Sequence, residues 1–113
     1  MGIVHHGAYL PYLEEARVEY LRAAGHPYDA VRRDGVDFAV LEAALRYRRP
    51  LSFDDLVDIH LRVGRATGAT FQIDYLLTVA DEPRADAATV HGAVGPDGRA
   101  ARLPAWVRSL LTG

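Results

Sequence analysis

The chain has 113 residues, a formal net charge of −2 at neutral pH and no cysteine. Its length suits one domain over residues 1–113, and its balance of hydrophobic and charged residues is that of an ordinary globular protein. The weak net charge excludes a general attraction to nucleic acid or anionic membranes. The lack of cysteine excludes disulfides, thiolate nucleophiles and zinc–thiolate sites. No apolar run approaches the ~20 residues that span a bilayer, and the N-terminal pattern is not that of a secretory signal, so a cytoplasmic location is expected.

The first third of the chain predicts a loop followed by helix. Residues 1–8 contain two glycines and two adjacent histidines and predict a loop. Residues 9–24 predict a long helix because apolar side chains recur at steps of three and four. Pro11 is tolerated if it lies in the first turn, and Gly25 is expected to end the helix. A short helical turn is predicted at residues 28–33.

The remaining sequence predicts an antiparallel sheet. Four strands are predicted, at residues 36–48, 56–65, 70–80 and 87–94. The first is also compatible with a helix because it is rich in alanine and leucine, whereas the second and third alternate polar and apolar residues. Turns are predicted at residues 64–69, 81–84 and 96–98, and a short terminal helix at residues 103–111. A long helix followed by such strands predicts an α+β fold in which the helix covers one face of the sheet.

Several motifs, which extend over nearly the whole chain, carry a resemblance to a known family. The N-terminal matches are Gly2, Ile3, Val4, His5, His6, Tyr9, Glu14, Ala16 and Arg17. Later matches are Gly25, the Arg-Tyr-Arg-Arg-Pro-Leu stretch at residues 46–51 and the Asp-Gly-Arg-x-x-Arg-Leu-Pro stretch at residues 97–104. On these residues the chain resembles the 4-hydroxybenzoyl-CoA thioesterase family, including its bacterial branch associated with the Tol-Pal system.

The resemblance implies a hotdog fold, in which a curved antiparallel sheet wraps a long helix. It also implies a homodimer, or a tetramer of two dimers, with substrate sites between protomers. The implied reaction is hydrolysis of a small acyl-CoA to a free acid and CoA, without a metal or another cofactor. Adjacent histidines at residues 5 and 6 rarely point at one ion, so a metal site there is not expected.

The departure from the family lies before Gly2. The family carboxylate would fall two residues before Met1, and the first family strand would precede it. Met1 is therefore expected to be an internal family methionine or the start of a shortened chain that lacks this strand. Such a chain is expected to be inactive or severely impaired in hydrolysis. The alternative is a hotdog protein that binds acyl-CoA without cleaving it.

The resemblance assigns catalytic roles to the segment between Gly2 and Gly7. The backbone N–H at or near His6 is the predicted oxyanion donor, because a helix start offers unpaired N–H groups and a positive dipole end. The His6 side chain is predicted to orient water or the carboxylate, and Gly7 allows substrate close to the backbone. Glu14 and Glu15 are predicted to be structural rather than substitutes for the missing carboxylate.

The predicted substrate-binding residues lie in two places. His5 and Tyr9 are candidates for the pocket, although His5 suits a surface loop and Tyr9 suits packing of the helix equally well. Arg46, Arg48 and Arg49 are candidates for contact with CoA phosphates, and a solvated strand end is the alternative. Other polar and aromatic residues are expected to be structural. Asp54, Asp55 and Asp58 are expected in a turn and on an outward strand face, His60 and His91 at polar or partly buried strand positions, and Trp106 as the anchor of the terminal helix.

Overall fold

The computed structural model describes residues 6–33, 35–49 and 56–112. Its elements are α1 (His6–Ala23), α2 (Tyr28–Arg33), β1 (Asp37–Tyr47), β2 (Val57–Ala66), β3 (Thr70–Val79), β4 (Glu82–Val94), β5 (Ala100–Ala101) and α3 (Trp106–Ser109), which runs into a 3₁₀ turn at Leu110–Thr112. The strands form one antiparallel sheet in the order β1-β4-β3-β2, and β5 pairs with β4. The curved sheet carries helix α1 on one face and does not close, which confirms the predicted α+β hotdog architecture.

Helix α1 begins earlier than predicted and ends where predicted. His6 to Ala8 are helical rather than loop. Gly7 lies in the first turn, where the low helix propensity of glycine destabilises a helix less than it does in the interior. Pro11 consequently lies in the second turn, where it cannot donate to the carbonyl four residues earlier. At the other end Gly25 adopts a φ of 92°, its N–H donates to Arg22 O, and the next N–H donates to Leu21 O. This is a Schellman cap, which favours glycine at the left-handed position.

Strand β1 confirms the predicted strand and explains its ambiguous pattern. Val40 pairs with His91 and Glu42 pairs with Val90, so Leu41 is an extra residue in the ladder. This β-bulge shifts the alternation by one residue, so that Val40 and Ala43 both face helix α1. A pattern with that shift resembles helical spacing, although the segment is extended throughout.

Strands β2 and β3 confirm the predicted alternation. Phe71, Ile73, Tyr75 and Leu77 face α1 and are buried, whereas the residues between them face outward and are partly exposed. The core lies between this face and α1, and it also receives the α1 residue Leu13.

The turn predicted at residues 81–84 is present between β3 and β4, but it begins one residue earlier and ends at Asp81. The chain turns at Ala80 and Asp81, which have φ values of 51° and 66°. Two residues with positive φ suit the tight hairpin whose twist matches that of the flanking strands. Pro83 lies inside β4, opposite Thr78 at a register shift, where the ladder tolerates proline. Strand β4 is therefore longer than the predicted strand at residues 87–94.

The terminal segment differs from its prediction in detail. Gly98 donates its N–H to Gly95 O with a φ of 78°, which confirms the predicted turn. The short strand β5 was not predicted, and the helix predicted at residues 103–111 is reduced to α3 and the 3₁₀ turn. Trp106 stacks on His26 with ring centroids 3.6 Å apart, so it anchors this segment as predicted. Among the helices of the described residues, none combines the length and apolar character needed to cross a membrane.

Candidate active site

The predicted oxyanion donor lies in the first turn of α1. His6 is the first residue of that helix, and Gly7 and Tyr9 follow within its first turns. The leading N–H groups of a helix have no intrahelical carbonyl partner, and they lie at the positive end of the helix dipole. This part of the chain can therefore stabilise a developing negative charge. Gly2 and His5 fall outside the described residues, and the side-chain roles of His6 and Tyr9 stay predictions.

A cavity of about 590 Å³ lies beside α1, between that helix and strands β1 and β4. Most of its lining is apolar: Leu13, Val18, Leu21, Phe38, Val40 and Ala43. The polar lining consists of Glu14, Arg17 and Thr89. Its volume and its largely apolar wall with a few polar groups are typical of a small-molecule site.

A buried chain of hydrogen bonds includes Thr89, the residue of β4 that lines the cavity. Thr89 Oγ1 lies 2.7 Å from the Tyr75 hydroxyl and 2.7 Å from His91 Nε2. All three side chains are buried, and the His91 ring stacks on Phe71 at a centroid distance of 5.0 Å. Within the described part of the protein, Nδ1 of His91 has no hydrogen-bond partner. We call these three residues the Tyr75–Thr89–His91 chain.

Burial keeps the two ionisable members of this chain neutral. Burial, with a smaller contribution from the positive charge of Arg17, lowers the pKa of His91 from 6.5 to about 4. Burial also raises the pKa of Tyr75, although the hydrogen bond with Thr89 and the charge and hydrogen bonding of Arg17 oppose that rise. The guanidinium of Arg17 is thus the charge that both groups experience, and at pH 7 both are uncharged.

Sequence reasoning missed this chain because its members were assigned separately. Tyr75 lies in the strand whose alternation was predicted, whereas His91, expected at a polar or partly buried position, is completely buried. The usable signal was the alternation on β4. Thr89 and His91 occupy the same inward-facing positions as the buried alanines Ala85 and Ala87. Polar residues in register with a buried apolar series indicate an internal hydrogen-bonded site.

The structure brings the predicted arginines together at one end of β1, but it pairs them with carboxylates. Arg46 and Arg48 lie 3.2 Å and 3.0 Å from Asp86. Arg49 lies 2.9 Å from Glu82. Burial would raise the pKa of Asp86, but the hydrogen bonds from Arg48 and Arg46 outweigh it and lower that pKa.

The arginine pairs lie across the sheet from the cavity. Asp86 stands between Ala85 and Ala87, which face α1, so its carboxylate projects to the opposite face. Arg46 therefore does not share a face with the cavity of the same protomer. The phosphate-binding role of these arginines and the alternative of a solvated strand end both stay predictions.

Of the carboxylates considered from the sequence that fall within the described residues, Glu14 lines the cavity. Glu15 is exposed on α1, and Asp58 lies exposed on β2, as expected for an outward position. His60, also exposed on β2, has its Nε2 3.2 Å from the Thr78 hydroxyl. Asp54 and Asp55 lie outside the described residues.

Comparison with known proteins defines the class. The family model described as the Thioesterase superfamily matches residues 1–86, so the chain belongs to that family. A hypothetical protein from Aquifex aeolicus is similar in structure, with a TM-score of 0.89 and 37% identity over 97% of this chain and 86% of that one. A hypothetical protein from Thermus thermophilus has a TM-score of 0.88 and 35% identity over 99% of this chain and 86% of that one.

A relative with a more specific name is the acyl-CoA thioesterase YbgC of Haemophilus influenzae. It is 31% identical over 77 residues, which are 67% of this chain and 57% of the relative. The family and this relative support assignment of the chain to the thioester hydrolases.

Proposed function

We propose that the protein hydrolyses a small acyl-CoA to a free acid and CoA. The observation that carries the proposal is the largely apolar cavity of about 590 Å³ beside α1, whose first turn supplies backbone N–H groups. An acyl group fits such a cavity, and a thioester carbonyl needs such donors when it becomes an oxyanion. Membership of the thioesterase superfamily supports the same reaction.

In the proposed reaction, water or a carboxylate attacks the thioester carbonyl carbon. The carbonyl electron pair moves onto oxygen, where the backbone N–H at or near His6 stabilises it. Collapse of this intermediate breaks the C–S bond. When water attacks, the departing CoA sulfur takes a proton from that water and the free acid is released. When the carboxylate attacks, the product is an anhydride with the protein, which water then hydrolyses to the free acid, supplying the proton for the CoA thiolate. Gly2 and Gly7 allow close approach of the substrate to the backbone, and the His6 side chain orients the attacking group. The attacking or activating carboxylate is the aspartate that the family pattern places before Gly2.

The rest of the substrate is proposed to extend from this point in two directions. The acyl group enters the cavity beside α1, with His5 and Tyr9 near the thioester. The CoA phosphates contact Arg46, Arg48 and Arg49, whose forked guanidinium groups suit phosphate oxygens. Because Arg46 lies across the sheet from the cavity, the phosphates must pass around the end of β1 or reach the arginines of a second protomer.

A homodimer joined through β1 is part of the proposal. This strand lies at one end of the described sheet order, and Val40, Leu41 and Tyr47 are exposed along it. A long edge strand with exposed apolar side chains favours pairing with another strand. A two-fold pairing of β1 strands would extend the sheet across both protomers, and two such dimers would form the tetramer.

The test is release of free CoA thiol from acetyl-, hexanoyl- and benzoyl-CoA. It is run on the 113-residue chain and on the chain extended through the in-frame codons that precede Met1. We expect turnover by the form that contains the family carboxylate. Calorimetry with the same compounds provides a second measurement. Binding without turnover by either form would favour the non-hydrolytic acyl-CoA-binding alternative, and neither binding nor turnover would refute both.

A further inference from the structure

Among the residues that line the cavity, Thr89 is the one contributed by β4, and its side chain carries a hydroxyl. Thr89 lines the cavity, although it is only 4% exposed. Its oxygen is fixed by two short hydrogen bonds, to the hydroxyl of Tyr75 and to Nε2 of His91. A buried hydroxyl at a cavity wall can be a structural link within the sheet or a contact for a ligand. The direction of the hydrogen bonds distinguishes these roles.

The direction can be assigned from the partners. A neutral imidazole has one N–H, and a buried N–H without an acceptor costs more than a buried lone pair without a donor. Nδ1 of His91 has no partner among the described residues, so the proton belongs on Nε2, which donates to Thr89. Tyr75 is 2% exposed and does not line the cavity, and Thr89 is the acceptor that its hydroxyl has among the described residues. If Thr89 donated to Tyr75, the buried proton of Tyr75 would be left without an acceptor, so Tyr75 donates its proton to Thr89.

These assignments leave the Thr89 oxygen accepting two hydrogen bonds. Both of its lone pairs are then used, by Tyr75 and by His91. Its own proton has no acceptor left within the Tyr75–Thr89–His91 chain. Because Thr89 borders the cavity, that proton is available to an acceptor inside it. The chain thus presents one oriented donor on a largely apolar wall.

We infer that Thr89 determines specificity for the acyl group, by donating a hydrogen bond to an oxygen carried on the acyl chain. This inference rests on the proposed function, and it narrows the substrate class to acyl-CoAs that carry a hydroxyl or oxo group beyond the thioester. An unsubstituted acyl chain in the same cavity would bury the Thr89 donor without an acceptor. A site built to hydrogen-bond one polar group discriminates against analogues that lack it.

The test compares matched pairs of substrates in three forms of the protein. The probes are hexanoyl-CoA and its 3-hydroxy, 5-oxo and 6-hydroxy derivatives. The proteins are the wild type, Thr89→Val, which keeps the shape but removes the donor, and Thr89→Ser, which keeps the donor. We expect the wild type to prefer at least one oxygenated probe in kcat/KM. Thr89→Val should reduce that preference by about three- to tenfold, the value of one neutral hydrogen bond, and Thr89→Ser should retain it.

A merely structural role for Thr89 gives a different result. Thr89→Val would then lower kcat/KM for hexanoyl-CoA and its oxygenated derivatives by the same factor, and the unchanged ratio would overturn the inference. A wild type that hydrolyses the probes without preferring any oxygenated one would also overturn it, while the proposed function stands.

The proposed function can fail separately. If no form hydrolyses acyl-CoA, the comparison moves to binding of the uncleavable thioethers S-hexyl-CoA and S-(6-hydroxyhexyl)-CoA, measured by calorimetry. The role of Thr89 would be supported without hydrolysis if the wild type binds the hydroxylated thioether more tightly than S-hexyl-CoA. This difference in affinity should be lost in Thr89→Val and kept in Thr89→Ser. Equal affinity of the two thioethers for the wild type would refute it.

Discussion

The side chains of Thr89 and His91, two residues apart on β4, share a hydrogen bond of 2.7 Å on the face of the sheet that packs against α1. Residues two apart on a strand point to the same face, so this contact follows directly from the strand period. The imidazole is completely buried and lies against Phe71. It therefore gains a hydrogen bond from the sheet but loses the water that would stabilise its charged form.

The burial of His91 predicts that the protein is sensitive to acid. Its pKa is about 4 in the folded protein and 6.5 when exposed, so the unfolded chain binds the extra proton in the interval between these values. Stability is unaffected above pH 6.5 and is lost as the pH falls toward 4. Between pH 7.5 and pH 5 we expect the free energy of unfolding to drop by about 2 kcal/mol from this group alone. Urea titrations at the two pH values measure the drop.

Two substitutions separate His91 from other titrating groups. His91→Gln can still donate to Thr89 but does not titrate, so its drop between the two pH values should be smaller by that amount. His60→Gln changes an exposed histidine on the outer face and should keep the wild-type drop. An equal drop in the wild type and His91→Gln would show that the buried imidazole is not the source.

The start of α1 allows the backbone and side chain of His6 to be tested separately. His6→Ala removes the ring but keeps the N–H, whereas His6→Pro removes both at the first helical position, where proline is tolerated. If this N–H stabilises the oxyanion, His6→Pro should lower kcat by about 10²- to 10³-fold beyond the effect of His6→Ala. Steady-state hydrolysis of acyl-CoA by the active form measures both. Equal kcat values in the two variants would place the oxyanion donor elsewhere.

The sequence predicted the architecture better than it predicted the site. Period-two alternation located β2 and β3, because their inward residues are uniformly apolar. The bulge at Leu41 made the pattern of β1 ambiguous, because no particular residue type indicates where a strand gains an extra residue. The Tyr75–Thr89–His91 chain joins two strands and borders a cavity completed by α1. Such a site depends on register between distant segments, and single-sequence periodicity does not give that register.

We expect the arginines at the end of β1 to contribute to the binding of acyl-CoA but not to the rate of the chemical step. Arg48→Ala removes one of the two guanidinium groups on Asp86, and it should raise KM for acyl-CoA about three- to tenfold while kcat stays unchanged. Arg22→Ala is the matched control, because Arg22 is also an exposed arginine paired with a carboxylate, that of Glu19, and it lies on α1 rather than beside β1. Similar KM values for the two variants would argue for a solvated strand end. A fall in kcat for Arg48→Ala would argue for an effect on the reacting groups.

The cap of α1 predicts a stability effect that arises from the backbone alone. A Cβ at Gly25 would meet nothing within 4 Å, so Gly25→Ala introduces no clash, but it places alanine at a φ of 92°. The left-handed conformation costs an L-residue about 1–2 kcal/mol, and the free energy of unfolding should fall by that amount. Gly25→Asn should lose less, because asparagine tolerates this region better. Urea denaturation at pH 7.5 compares the two, and equal losses would indicate that the cap relaxes.

The exposed face of β1 predicts that association can be weakened without unfolding the protomer. Leu41 is 56% exposed at the bulge of this edge strand, so Leu41→Glu adds a charge next to Glu42 without emptying the core. In a two-fold pairing of β1 strands the added charges lie near an apolar contact, and the dimer dissociation constant should rise by at least about tenfold.

Leu56→Glu is the control, because Leu56 is 85% exposed just before β2 and lies outside the proposed interface. Sedimentation equilibrium measures both variants, and thermal unfolding verifies that each protomer is folded. If Leu41→Glu associates as the wild type does, the two protomers do not meet through this strand, and the route by which the arginines of one protomer reach a substrate held by the other across β1 is refuted.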